Sequence, residues 1–253
     1  MRAAGSIVVA ALLCAGSLAP VVSDGRAGTT RPAATSQAAS RELAACLQLI
    51  RQGDYARARA LAAEWIEREP RNARAHGMMG LAYHMEDRHQ QAVAYFERAL
   101  ALDAADDAVR SAYGWCLYYL GRAADARAQF ERLLKSLPDH ADSHFALAVL
   151  DLDEDQLDSA VDRFRRAIDS AAAHRRKEDE ARYRIRFADL LTRREDWTQA
   201  QTELARAVKL NPDLYAAYYK LSRVRVRLGD VEGARAAQQM HDQARRRVRP
   251  PSE

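Results

Sequence analysis

The sequence is poor in the residues that interrupt regular structure. Of 253 residues only 11 are Gly and 7 are Pro, too few for a sheet protein built on tight turns. Cysteine is scarcer still: Cys14, Cys46 and Cys116, with no C-x-x-C spacing. An odd number so arranged speaks against a zinc site or a disulfide framework. Cys46 and Cys116 fall at packed helix positions and are expected as buried free thiols, with a bridge or a reactive thiol as the alternatives. Charge of one sign is also in short supply. The formal net charge is +4, which by itself gives no reason to invoke nucleic acid. There is no G-x-S-x-G, no H-E-x-x-H, no phosphate loop and no Rossmann fingerprint. The carboxylates are many, but they stand at salt-bridge spacing from arginines and none are paired for acid/base work. An enzyme is not expected, and neither a cofactor nor a metal is expected.

What is present is ordinary for a globular chain: 48% hydrophobic and 29% charged residues, rich in the helix formers Ala, Leu, Arg and Glu. The first residues differ. Arg2 is followed by the apolar run Ile7–Leu18 and then by small residues, the order of a secretory signal. At about 12 residues the run is short for a membrane span. Residues 1–23 are therefore expected to be a signal peptide, cleaved between Ser23 and Asp24, with cleavage after Ala19 as a rival. Retention as an anchor is the main alternative. Acylation at Cys14 is disfavoured by Leu13 before it. Residues 24–38 contain no large apolar side chain and are expected to be a disordered linker. The localisation that follows is exported, either periplasmic or secreted, with membrane anchoring as an option.

Beyond the linker the sequence repeats. Ala58, Ala92, Ala126 and Ala160 are each 34 residues apart; Ala200 follows 40 later and Ala234 another 34. Twelve residues before each stands Cys46, Gly80, Gly114, Ala148, Ala188 or Ser222, all small. Four residues after each stands Ala62, Phe96, Phe130, Phe164, Leu204 or Gln238. A small residue on one helix and an alanine on the next let the two approach closely. The residue four after the alanine shares its face one turn on. Turn pairs separate the helices: Gly53-Asp54, Asp87-Arg88, Gly121-Arg122, Asp155-Gln156, Glu195-Asp196 and Gly229-Asp230. Pro70, Pro138 and Pro212 end units.

This pattern resembles the tetratricopeptide repeat family. The second unit carries Met79-Gly80, Tyr83, Ala92, Phe96 and Ala99; the third Tyr113-Gly114, Gly121, Ala126, Phe130 and Pro138; the fifth Trp197, Ala200, Ala207 and Pro212. The resemblance implies an all-α, right-handed superhelical solenoid of six helix-turn-helix units: 39–72, 73–106, 107–140, 141–174, 181–214 and 215–248. The insertion 175–180 is expected to lengthen the connecting helices or loop, with two sub-stacks, 39–174 and 181–248, as an alternative to one continuous stack. Residues 249–253 form a tail. The end units depart from the pattern: Cys46 and Trp65 in the first, Gln238 and His241 in the sixth. Both read as caps.

The resemblance also implies that the first helix of each unit lines a groove that holds a protein or peptide partner. Helical spacing selects Leu81 and His84 in the second unit and Ser111, Trp115 and Tyr118 in the third. It selects Phe145, Val149 and Leu152 in the fourth, Ile185 and Asp189 in the fifth, and Tyr219 and Arg223 in the sixth. Trp115, Tyr118 and Phe145 are the expected anchors of an apolar strip, against the alternative that they pack in the core. The Lys and Asn clamp by which some members grip a terminal carboxylate is absent, since Leu43, Leu47, Gly77 and Leu81 stand at the matching places.

Three further constellations have duller readings. The run Asp151, Asp153, Asp155, Asp158 and Asp162 resembles the start of a calcium loop, but Gln156 replaces the needed Gly and Asp162 the final Glu. His140 and His144 are four apart, without an obvious third ligand, and His84 and His89, five apart, diverge if they share a helix. The basic cluster Arg245–Arg247 with Arg249 suits a helix C-terminus. It and the leader are where membrane contact would occur. Nucleic acid is not an expected partner.

Overall fold

The computed structural model describes residues 32–248, with side chains from residue 39 onward. The leader, its cleavage sites, Cys14, the linker up to residue 31 and the tail 249–253 lie outside the described residues. No described helix is long and apolar enough to cross a membrane.

Twelve helices and no strand occur among the described residues. They are α1 (Pro32–Arg51), α2 (Tyr55–Arg68), α3 (Ala73–Met85), α4 (His89–Leu102), α5 (Asp107–Tyr119), α6 (Ala123–Ser136), α7 (Ala141–Asp153), α8 (Leu157–Ala173), α9 (Lys177–Arg193), α10 (Trp197–Leu210), α11 (Tyr215–Arg227) and α12 (Val231–Val248). Because α1 begins at Pro32, the last part of the expected linker is helical. Proline at a first helical position has no amide hydrogen to lose.

The six turns within the helix pairs share one mechanism. The first residue of every pair named above takes the left-handed conformation: Gly53, Gly121 and Gly229 at φ 74–79°, Asp87, Asp155 and Glu195 at 59–60°. In each, its amide donates three residues back and the next amide donates five back, as Asp87 does to His84 and Arg88 to Tyr83. This double bond closes the carbonyl end of a helix and reverses the chain. Side chains then start the following helices: Asp54, Asn72, Asp106 and Asp196 each accept a backbone N–H of the next turn.

Small residues face large ones inside each pair. A Cβ added to Gly80 would come within 2.8 Å of the Phe96 ring, and one added to Gly114 within 2.7 Å of Phe130. The absent methyl groups let those rings sit fully buried between the helices. In the first pair the sizes are reversed, Cys46 against Ala62, and both are fully buried.

The chain divides into two compact units, Met1–Leu133 and Leu134–Glu253. In the first, α1 to α5 pack each on the next, and α1 and α5 also meet α3. In the second, α7 to α12 pack each on the next, and α7 meets α9. The insertion does not interrupt this order: α8 ends just before it, α9 begins within it at Lys177, and the two helices pack together. It lengthens both to 17 residues and adds one more left-handed turn at Arg175, φ 56°.

Insertion side chains tie α9 to α7. Asp142 is 1% exposed. Its carboxylate accepts from Arg176 at 2.7 Å and from the Tyr183 hydroxyl at 2.5 Å, and Arg182 stands 3.4 Å away. Asp179 pairs with the same two arginines at 2.7 and 2.8 Å. Two carboxylates and two guanidiniums thus neutralise one another in a nearly dry site. Glu180 joins a second network, pairing with Arg184 at 2.7 Å while Arg184 reaches Glu203 on α10 at 2.5 Å.

Candidate functional site

Within Leu134–Glu253 a cleft of about 300 Å3 opens between α9, α10 and α11. Asp189 and Thr192 form one wall, and Tyr219, Lys220, Arg223 and Arg227 the other; Trp197, Leu204 and Val224 supply apolar lining. Both walls come from the first helix of a pair, and α10 gives the floor.

The charges of the cleft are of two kinds. Asp189 is engaged by Lys220 from α11 and by Arg186 at 3.4 Å. Arg223 lies over the Tyr219 ring at 5.9 Å and Arg227 over the Trp197 ring at 5.7 Å. Both guanidiniums are exposed, and neither has a carboxylate partner among the described residues. An exposed arginine held beside an aromatic ring keeps N–H groups available to a planar anion. Tyr219 is 48% exposed and presents its ring to the cleft.

The groove residues selected by helical spacing fall into two groups. Asp189, Tyr219 and Arg223 come together in this cleft, and Ile185 is half-buried on the same helix α9. Leu81, His84, Ser111, Trp115, Phe145, Val149 and Leu152 are each 1–4% exposed, and Tyr118 is half-buried. Trp115 meets Phe130 edge-on at 5.5 Å and lies over Tyr119 at 6.3 Å. Phe145 stacks on Tyr183 at 4.5 Å and meets Phe164 edge-on at 5.9 Å. Of the three expected anchors, Trp115 and Phe145 are therefore core residues in this structure, and Tyr118 is half-buried. A first helix flanked by its own pair and by the next buries a wider arc than the amphipathic stripe suggests.

The acidic run does not form a loop around a cation. Its residues are divided between the end of α7 and the start of α8, across the left-handed turn at Asp155. Asp151 is buried against Arg163 at 2.9 Å and the Ser159 hydroxyl, Asp155 pairs with Arg193, and Asp158 with Arg194. His144 bonds the Pro138 carbonyl at 2.8 Å and His140 the Ser143 hydroxyl at 2.8 Å. Of the basic cluster, Arg247 is held by Asp213 at 2.9 Å, in the last turn of α12.

His84 and His89 behave otherwise than expected. They do not share a helix, because the turn at Asp87 reverses the chain between them. Their rings lie 4.9 Å apart.

Two tetratricopeptide repeat models match the chain, one over residues 83–150, the other over 43–108 and 185–247. The chain belongs to the tetratricopeptide repeat family. Proteins of this family are in general scaffolds that bind protein or peptide partners. No curated protein matches the chain. Among solved structures it is similar to PilW, described as a type IV pilus biogenesis factor, with TM-score 0.69 and 18% identity over 86% of this chain and 96% of that one. It is similar to PilF of Pseudomonas aeruginosa, with TM-score 0.68 and 18% identity over 86% and 94%. YrrB, described as having an unusual peptide-binding site, gives TM-score 0.52 and 17% identity over 72% and 91%. At these identities the likeness is one of fold: an all-α helical repeat of the solenoid class.

Proposed function

We propose that the protein is an exported scaffold that holds an extended acidic segment of a partner protein in the cleft between α9 and α11. The observation that carries this reading is the pair Arg223 and Arg227. Both are exposed, lie within 6 Å of an aromatic ring and are free of carboxylates among the described residues, while their neighbours Arg186 and Lys220 are already engaged by Asp189. A carboxylate of the partner takes the guanidinium edges, and an adjacent apolar side chain lies against the exposed parts of the Tyr219 and Trp197 rings. The flanking apolar surface supplies most of the affinity, because exposed ion pairs contribute only about 0.2–1 kcal/mol each.

A photo-crosslinking residue placed at Tyr219 in the full chain, expressed in its own cell, should capture the partner. The same residue at Val226, exposed but outside the cleft, should not. The captured segment, made as a peptide, should bind roughly tenfold more weakly to Arg223→Ala with Arg227→Ala. Equal capture at both sites, or unchanged affinity in the folded double variant, would overturn the reading.

A second reading is favoured by the apolar run Ile7–Leu18. It keeps residues 1–23 as an anchor, so that the scaffold works at a membrane as an assembly factor. Determining the N-terminus of the protein from its own cell separates the two: a start near Asp24 removes the anchor.

A further inference from the structure

We propose that His84, His89 and Cys116 form a three-coordinate site for a soft monovalent cation, Cu(I). The three side chains come from three helices of the first compact unit: His84 from the last turn of α3, His89 from the first residue of α4, and Cys116 from α5. One donor atom from each can be chosen so that all lie within 4.8 Å of one another. Bond lengths of 2.0–2.3 Å place donors around one metal at about 3.5 Å, so closure asks for an inward movement on the order of 1 Å.

At the register places of His84, His89 and Cys116 no other helix pair carries a His or a Cys; most carry apolar side chains, with Tyr118, Thr192, Tyr55 and Gln48 as the exceptions. His84 is 3% exposed, Cys116 is fully buried, and the Nδ1 atoms of both histidines are buried without a hydrogen-bond partner. An orphaned buried polar atom is unfavourable, and a bound cation would give both ring nitrogens a partner.

The surroundings choose the metal. A thiolate selects Cu(I) or Zn(II) over harder ions. A structural zinc site takes four protein ligands and an open one completes its set with water; no fourth His, Cys or carboxylate joins the group among the described residues, and three soft donors without a fourth suit Cu(I). Asp87 does not serve, because its carboxylate lies 3.9 Å from His89 Nε2 while Nδ1 is the buried nitrogen. On binding, the Cys116 sulfur loses its proton to solvent, gives up its 3.2 Å contact to the His89 carbonyl and forms the metal–sulfur bond. The metal keeps its oxidation state. His89 is only partly buried and gives the way in.

The full chain, reduced and free of oxygen, is titrated with Cu(I) against a chromophoric copper chelator, and in parallel with Zn(II) against a zinc chelator. One Cu(I) per chain is expected, with no zinc held at matched competition. Cys116→Ser and His89→Gln should each weaken copper by about 100-fold or more. Cys46→Ser should leave it unchanged. If circular dichroism shows Cys116→Ser unfolded, His89→Gln at its half-buried position decides. Copper retained by a folded His89→Gln, failure of the wild type to hold one equivalent, or preference for zinc would each overturn the proposal.

Discussion

Replacing Asp142 by Ala tests the claim that the insertion is bound into the stack by buried charge. The substitution removes the shared acceptor of Arg176, Arg182 and the Tyr183 hydroxyl. It leaves two guanidiniums near each other with only Asp179 between them, and a phenol hydroxyl that is fully buried. Removing one member of a buried ion pair costs about 3–5 kcal/mol. The arginine side chains keep 19% and 22% exposure, so part of the loss is returned by solvent, and about 3 kcal/mol is expected. For a unit of this size that lowers the midpoint of heat unfolding by roughly 10 °C.

Urea unfolding of the full chain, followed by helical circular dichroism, gives the loss. Asp142→Ala combined with Arg176→Ala gives the coupling, expected to be about 2 kcal/mol. Acid provides an independent check. Burial raises the Asp142 carboxyl, but Arg176, the Tyr183 hydroxyl and Arg182 more than offset it and hold it below the usual carboxylate range. The unfolded chain therefore binds this proton first, so the contribution is present above about pH 4 and is lost as the pH falls below it. Asp142→Asn should lack that part of the acid sensitivity. A folded Asp142→Ala within 1 kcal/mol of wild type would refute the reasoning.

Three further outcomes follow from the packing. Gly114→Ala should destabilise although alanine favours helix by about 1 kcal/mol, because the new methyl group meets the Phe130 ring; overpacking costs about 1–3 kcal/mol, read as a lower urea midpoint. Glu195→Gly should stabilise by up to about 1 kcal/mol, read as a higher urea midpoint, since Glu195 holds φ 60° in its turn; an unchanged or lower midpoint would contradict the strain. Burial, with His89 beside it, pushes His84 down to about 3. The unfolded state takes this proton first, so the metal-free protein should lose roughly 1.4 kcal/mol per pH unit as the pH falls from about 6.5 toward 3. His84→Leu should remove that slope.

The sequence by itself determined the helix pairs. Gly80 and Phe96, or Gly114 and Phe130, are sixteen residues apart and meet across one short turn. Contacts so local are decided by period, residue size and a left-handed turn residue, all of which can be read along the chain. Tertiary structure decided the rest. Whether Trp115 and Phe145 face a partner or the core depends on how closely neighbouring pairs approach, and spacing within one helix carries no measure of that. The convergence of Asp189, Tyr219 and Arg223 on one cleft depends on the same approach. The meeting of His84, His89 and Cys116 needs a chain reversal at Asp87 and a third helix brought alongside. Side chains from separate helices share a site only after the backbone has been packed.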